Sequence, residues 1–172
     1  MKKNIVLYES KYGNTLQYAN WIAEELGWEI SRFSDFPKSE IDNYDRVIFG
    51  TAVYMGKMNK LKQALRLFKD KPIIIFATGG NNNVQKDIDD IKQRNFNQKQ
   101  LAFHKFFYLP GGIDFSKAEG PFKKMLTVFQ KVMGKIKNKP EWLAAILDAF
   151  DHPTNYVARD EISEIVEYVR SS

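Results

Sequence analysis

Cysteine is absent from this 172-residue sequence. That excludes a disulfide-stapled scaffold, thiol catalysis, thiolate-held zinc and iron–sulfur clusters, so redox chemistry here requires a bound cofactor. Histidine is nearly as scarce: His104 and His152 stand far apart without a neighbouring ligand pattern, and no metal site is expected. No apolar run approaches the roughly 18 residues of a transmembrane helix, and the stretch after the N-terminal lysines is too short for a signal segment. A soluble protein is therefore expected, and the lack of cysteine is compatible with a cytoplasmic one. Charge of one sign is only mildly in excess, 26 Lys+Arg against 21 Asp+Glu for a net +5. The lysines are spread over several segments, which reads as solvated faces, and nucleic acid is not the expected partner.

What the chain does have is 44% hydrophobic residues without internal repeat or low-complexity segment, suited to one domain with a sizeable core, residues 1–172. Short apolar, β-rich runs alternate with segments of helical period. The runs are residues 4–9 (NIVLYE), 28–33 (WEISRF), 46–50 (RVIFG), 72–78 (PIIIFAT) and 105–109 (KFFYL). The first, third and fourth are almost wholly apolar, as strands covered on both faces must be. Between them, Leu16, Ala19, Ala23 and Leu26 mark one helical stripe; Met58, Leu61, Leu65 and Phe68 a second; Val84, Ile88 and Ile91 a third. Ile162, Ile165, Val166 and Val169 follow Asp160, an expected N-cap. The pattern predicts an α/β fold, a doubly wound parallel five-stranded sheet.

One connection is too long for a loop: residues 113–153, between the fifth strand and the last helix. Within it Phe122, Met125, Leu126, Phe129, Val132, Met133 and Ile136 repeat at helical spacing, and Trp142, Leu143, Ile146, Leu147 and Phe150 form a second apolar block. A helical insertion is expected. Lys123, Lys124, Lys131, Lys135, Lys137 and Lys139 flank the stripe, which either packs on the fifth strand and last helix or lies on an anionic bilayer as a peripheral membrane contact.

The strongest local signal is Ser10, Lys11, Tyr12, Gly13, Asn14 and Thr15, between the first strand and first helix. A turn there aims backbone N–H groups and the positive end of a helix at a bound anion, with hydroxyls from Ser10 and Thr15 and close approach allowed by Gly13. A polar turn with no ligand is the alternative. The run is neither G-x-x-x-x-G-K-[ST] nor G-x-G-x-x-G, so neither ATP nor NAD is expected. Asp87, Asp89 and Asp90 lie on a polar helical stretch and read as a solvated face. An aspartate phosphoacceptor would need acidic residues after the first and third strands, where the chain has Glu9 and then Gly50 and Thr51.

The Ser10 to Thr15 run resembles the phosphate loop of flavodoxin-like proteins. Two later segments also resemble that family in the right order: residues 43–51, like its entry into the third strand and the loop over the flavin, and Phe76, Ala77, Thr78, Gly79 and Gly80, where its second flavin-contacting loop begins. The resemblance implies strand order 2-1-3-4-5 and FMN at the carboxyl ends of the strands. Ser10, Lys11, Tyr12, Gly13, Asn14 and Thr15 would hold its phosphate. Thr51, Ala52, Val53, Tyr54, Met55 and Gly56 would border the ring on one side, and Thr78, Gly79, Gly80, Asn81 and Asn82 on the other. The flavin would carry the chemistry, so no protein acid, base or nucleophile is expected to be catalytic.

Two features depart from flavodoxin carriers, which are acidic and sandwich the ring between aromatic side chains. This chain is basic, and residues 78–84 (TGGNNNV) hold no aromatic, leaving Tyr54 as the stacking candidate. Together with the long insertion, the run Gly50, Thr51, Ala52, Val53, Tyr54, Met55 and Gly56 is similar to menaquinone-dependent protoporphyrinogen IX dehydrogenases and their flavodoxin-domain relatives. That kinship implies an FMN-dependent oxidoreductase with a quinone or porphyrinogen-like substrate, placed in the cytoplasm or peripherally at the inner face of the cell membrane. A one-electron carrier serving a redox-protein donor and acceptor is the alternative. The insert aromatics, including Phe107, Tyr108, Phe115 and Phe122, either pack the extra subdomain or line a site for a flat apolar substrate or quinone.

Overall fold

Successive residues of a strand face opposite sides of a sheet, and here both sides are apolar, so the sheet needs cover on both. The structure, a computed structural model, describes residues 3–80 and 85–172. Six strands form the main sheet: β1 (Lys3–Glu9), β2 (Glu29–Arg32), β3 (Tyr44–Tyr54), β4 (Lys57–Met58), β5 (Ile74–Gly79) and β6 (Lys105–Pro110). The long strands run parallel in the order β2-β1-β3-β5-β6, and β4 only folds back antiparallel on the end of β3. Without that hairpin strand, the order is the 2-1-3-4-5 of the sequence analysis. This is a doubly wound parallel sheet of the flavodoxin-like kind.

Five helices belong to the same unit: α1 (Asn14–Leu26), α2 (Leu61–Leu67), α3 (Gln85–Asn95), α4 (Gln98–Phe103) and, after the insertion, α7 (Ser163–Ser171). Ile5, Leu7, Val47, Phe49, Ile75 and Ala77 cluster on one sheet face with Leu61 and Leu65 of α2 and Ile91 of α3. Val6, Ile48, Ile74 and Phe76 cluster on the other with Tyr18, Ala19 and Ile22 of α1 and Ile165, Val166 and Val169 of α7. Each fully buried side chain of this size contributes about 1.5–3 kcal/mol relative to exposure.

Several local expectations change. Met58 is not on the second helix but on β4, because Lys60 at φ 59 interrupts the backbone before α2 begins. Asp160 does not cap the last helix: it lies in a 3-10 turn, Arg159–Ile162, where its carbonyl accepts from the Ser163 hydroxyl. The helix α4 was not foreseen, and it is opened by a reciprocal Asn97–Gln100 capping box. His104 is a core residue, its Nδ1 accepting the Ile73 N–H at 3.2 Å. Val84 lies outside the described residues.

The chain divides into two compact units, Met1–Gly111 with Val157–Ser172, and Gly112–Tyr156. The second unit, which includes the expected insertion, is closed at its base by β7 (Gly112–Ile113) pairing antiparallel with β8 (Thr154–Asn155). It carries α5 (Gly120–Met133) and α6 (Glu141–Asp148). Phe115 and Phe150 pack ring to ring at 4.4 Å, and Ala118, Leu126, Leu143 and Ala149 are buried. The Trp142 side chain lies outside the described part. Of the seven-residue stripe only Leu126 is buried. Ile136 lies beyond the end of α5. Among the described residues no helix is long and apolar enough to cross a membrane.

Candidate functional site

The parallel register sets Glu9 beside Thr51, Ala52 beside Thr78 and Gly79 beside Pro110. The loops after β1, β3 and β5 therefore leave the sheet at the carboxyl ends of neighbouring strands, around the point where the winding reverses. All three candidate segments meet at this edge, apart from Asn81 and Asn82, which lie outside the described residues.

The first loop is shaped by Gly13, at φ 100, a conformation that costs glycine nothing and strains other residues. Its N–H donates to Ser10 Oγ at 3.1 Å, and a side chain built there would meet nothing within 4 Å. Helix α1 starts at the next residue without a side-chain cap, so no capping side chain occupies the first-turn N–H groups at the positive helix end. Thr15 is buried and shares a 2.7 Å hydroxyl contact with Thr78, tying this helix end to the end of β5.

Tyr12 supplies the sharpest sign of something missing. Its hydroxyl is buried and has no hydrogen-bond partner among the described residues, an arrangement that costs about 1–3 kcal/mol unless a ligand or water completes it. Its ring meets Tyr54 edge-on at 6.2 Å, and Lys11 Nζ stands 5.2 Å from the same ring. Burial, followed by the neighbouring Tyr12, pushes the Tyr54 phenol up to about 12, so it stays neutral.

The second loop is a tight hairpin. Val53 pairs with Met58 and Tyr54 with Lys57, leaving Met55 and Gly56 as the two turn residues, at φ 50 and 78. Two positive φ values are the mark of a type I′ turn, which explains the glycine. Met55 is 88% exposed at the tip. Below it Thr51 is fully buried and donates to the Asn59 carbonyl at 2.7 Å, and Asn59 N–H returns to the Ala52 carbonyl at 3.1 Å.

Two supporting residues escaped the sequence analysis. Asn95, at the end of α3, grips the hairpin: its Oδ1 accepts the Met58 N–H at 2.9 Å and its Nδ2 donates to the Gly56 and Ile91 carbonyls at 2.8 Å. Glu9, the last residue of β1, is buried and receives Arg32 Nε and Nη2 at 3.1 and 2.9 Å together with the Ser34 hydroxyl. A carboxylate closing an otherwise apolar strand was a visible signal for Glu9. Nothing local signals Asn95, whose partners Gly56 and Met58 lie far away in sequence.

Over 82 residues, 45% of this chain, the sequence is 35% identical to an uncharacterized protein of Methanocaldococcus jannaschii, and the match spans 55% of that relative. Among solved structures, a flavodoxin from the domain Archaea has 18% identity and a TM-score of 0.40 over 63% of this chain and 85% of its own. Oxidised Flavodoxin 2 from Bacillus cereus has 16% identity and a TM-score of 0.46 over 63% of this chain and 84% of its own. Residues 5–140 match the family described as Flavodoxin domain, and the chain belongs to that family.

Proposed function

We propose that the protein is an FMN-dependent oxidoreductase whose flavin exchanges electrons with a flat apolar substrate of quinone or porphyrinogen type. The observation that carries the cofactor reading is the turn at Gly13, where an uncapped helix start and free space around the glycine Cα adjoin a buried Tyr12 hydroxyl without a partner among the described residues. Backbone N–H groups of the loop suit a phosphate and ask for no adenosine half, which favours FMN over FAD. FMN supplies the electron transfer when bound. Ser10, Lys11, Tyr12, Gly13, Asn14 and Thr15 would hold its phosphate. The hairpin from Thr51 to Gly56 would border the ring on one side and Thr78, Gly79 and Gly80, continued by Asn81 and Asn82, on the other. Tyr54 and Tyr12 are the aromatic rings of these loops and meet each other edge-on, while the segment 78–84 contributes no aromatic side chain to the other flank, which favours a planar substrate there.

The test is a calorimetric titration with FMN followed by anaerobic stopped-flow mixing of the loaded protein. Wild type should bind FMN, and Gly13→Asp should weaken binding on the order of tenfold or more, since it sets a charge against the phosphate and a side chain at a left-handed φ. Reduced protein should transfer electrons to menadione, and oxidised protein should accept them from protoporphyrinogen, with saturation in the small molecule. Absence of FMN binding overturns the cofactor. Non-saturating transfer, with efficient turnover of a partner redox protein, assigns a carrier instead.

A further inference from the structure

The excess positive charge of the protein has one address. Residues 120–140 hold Lys123, Lys124, Lys131, Lys135, Lys137 and Lys139 and no acidic residue, so the remaining 20 Lys+Arg face all 21 Asp+Glu elsewhere. The same segment leaves large apolar side chains in solvent: Met125 is 49% exposed, Val128 61%, Val132 56% and Ile136 40%. On α5 the first three fall at i, i+3 and i+7, one stripe, and Lys124 and Lys131 lie beside Val128 at four before and three after. The opposite side of the helix holds Leu126, which is buried in its own unit. Two acids of this unit have partners of their own: Asp114 pairs with Lys117 at 3.5 Å and Asp148 with His152 at 2.9 Å.

An exposed apolar stripe bordered by cations on one helix face matches a surface that is apolar inside and anionic at its rim, which is an anionic lipid bilayer. A protein partner would have to be acidic around an apolar groove, and a nucleic acid offers nothing to the valines and methionine. We propose that α5 is an interfacial helix that docks the protein on anionic membranes, with Met125, Val128 and Val132 entering the headgroup boundary and Lys124, Lys131 and Lys135 contacting lipid phosphates. The proposal does not rest on the flavin reading, because none of these residues belongs to that site.

The experiment is flotation of the full chain with phosphatidylcholine vesicles, with and without phosphatidylglycerol, at low and high salt. Wild type should float with the phosphatidylglycerol vesicles alone and be released by salt. The variant K124Q/K131Q/K135Q should partition about a hundredfold less, at the usual increment per basic residue near a charged leaflet. V128Q/V132Q should weaken binding on the order of tenfold through lost apolar burial. Both variants change exposed side chains, so circular dichroism and FMN titration should match wild type. The proposal is overturned if wild type shows no salt-sensitive flotation, or if neither variant alters it. It is equally overturned if V128Q/V132Q instead abolishes a concentration-dependent dimer, which would give the stripe to a second copy. Lysine-dependent retention on duplex DNA without vesicle binding would overturn it too.

Discussion

Tyr18 shows how much one buried hydroxyl can hold. Its ring is fully buried against Trp21, 5.7 Å away, while its hydroxyl donates to the Pro110 carbonyl at 2.6 Å and accepts the Ala158 N–H at 3.3 Å. Burial pushes the phenol from 10.0 up to about 12, and the Ala158 N–H pulls it back only in part. The folded protein thus keeps this proton where the unfolded chain loses it. Stability from the neutral phenol is present in full below about pH 10 and is lost as the pH rises from there through about 12. Tyr54 adds a loss over the same window, having a similar value. Tyr18→Phe should cost about 1–3 kcal/mol at neutral pH, because it leaves the Pro110 carbonyl and the Ala158 N–H without their partner. Urea unfolding at stepped pH should show that deficit shrinking between pH 10 and 12, as the wild type gives up a proton-linked term that the variant no longer has.

At the scale of elements, the β3–β4 hairpin depends on α3. Asn95→Ala removes three hydrogen bonds and orphans the Met58 N–H, so the hairpin that carries Tyr54 and Met55 loses its brace. The expected cost is about 1–3 kcal/mol, a fall in melting temperature on the order of 2–10 °C for a chain of this size, with weaker FMN binding. Asn95→Asp keeps the acceptor for Met58 and loses both donors, and should fall between; calorimetry of unfolding and FMN titration together check the order. The brace illustrates what could be read from sequence. β1, β3 and β5 were legible because a strand buried on both faces is apolar at nearly every position, and the Ser10 to Thr15 turn because its chemistry is local. Met58 misled because it continues the spacing of Leu61, Leu65 and Phe68, and only the left-handed Lys60 separates them. The helix α4 is too short to show a period, with Leu101 and Phe103 both exposed. Periodicity also assigned the insert stripe to one face, yet it cannot say what that face meets, and the exposure of Met125, Val132 and Ile136 came only with the structure.

At the scale of the whole chain, the sheet unit is built from two stretches of sequence, with the residues of a second unit between them. Both apolar clusters of the sheet are built from residues of the first unit, α7 included. The chain leaves that unit after Gly111 and returns at Val157. Pro110 and Ala158, beside those two positions, bond to the same Tyr18 hydroxyl, which holds the two ends of the first unit's chain break close to each other. Closing such a gap takes little chain, because Pro110 and Ala158 both bond to one oxygen atom and each extended residue spans about 3.3–3.6 Å, and the shorter loop costs less closure entropy. A protein in which Gly111 is joined to Val157 by a linker of about three residues should therefore fold, unfold cooperatively and bind FMN as the full chain does, since Ser10 to Thr15, the hairpin and the end of β5 all lie in the retained unit. It should lose flotation with anionic vesicles, because α5 has gone. Cooperative melting with intact FMN affinity and no flotation would assign cofactor binding and membrane docking to separate units. Loss of FMN binding from a folded truncated chain would instead make the inserted unit part of the flavin site.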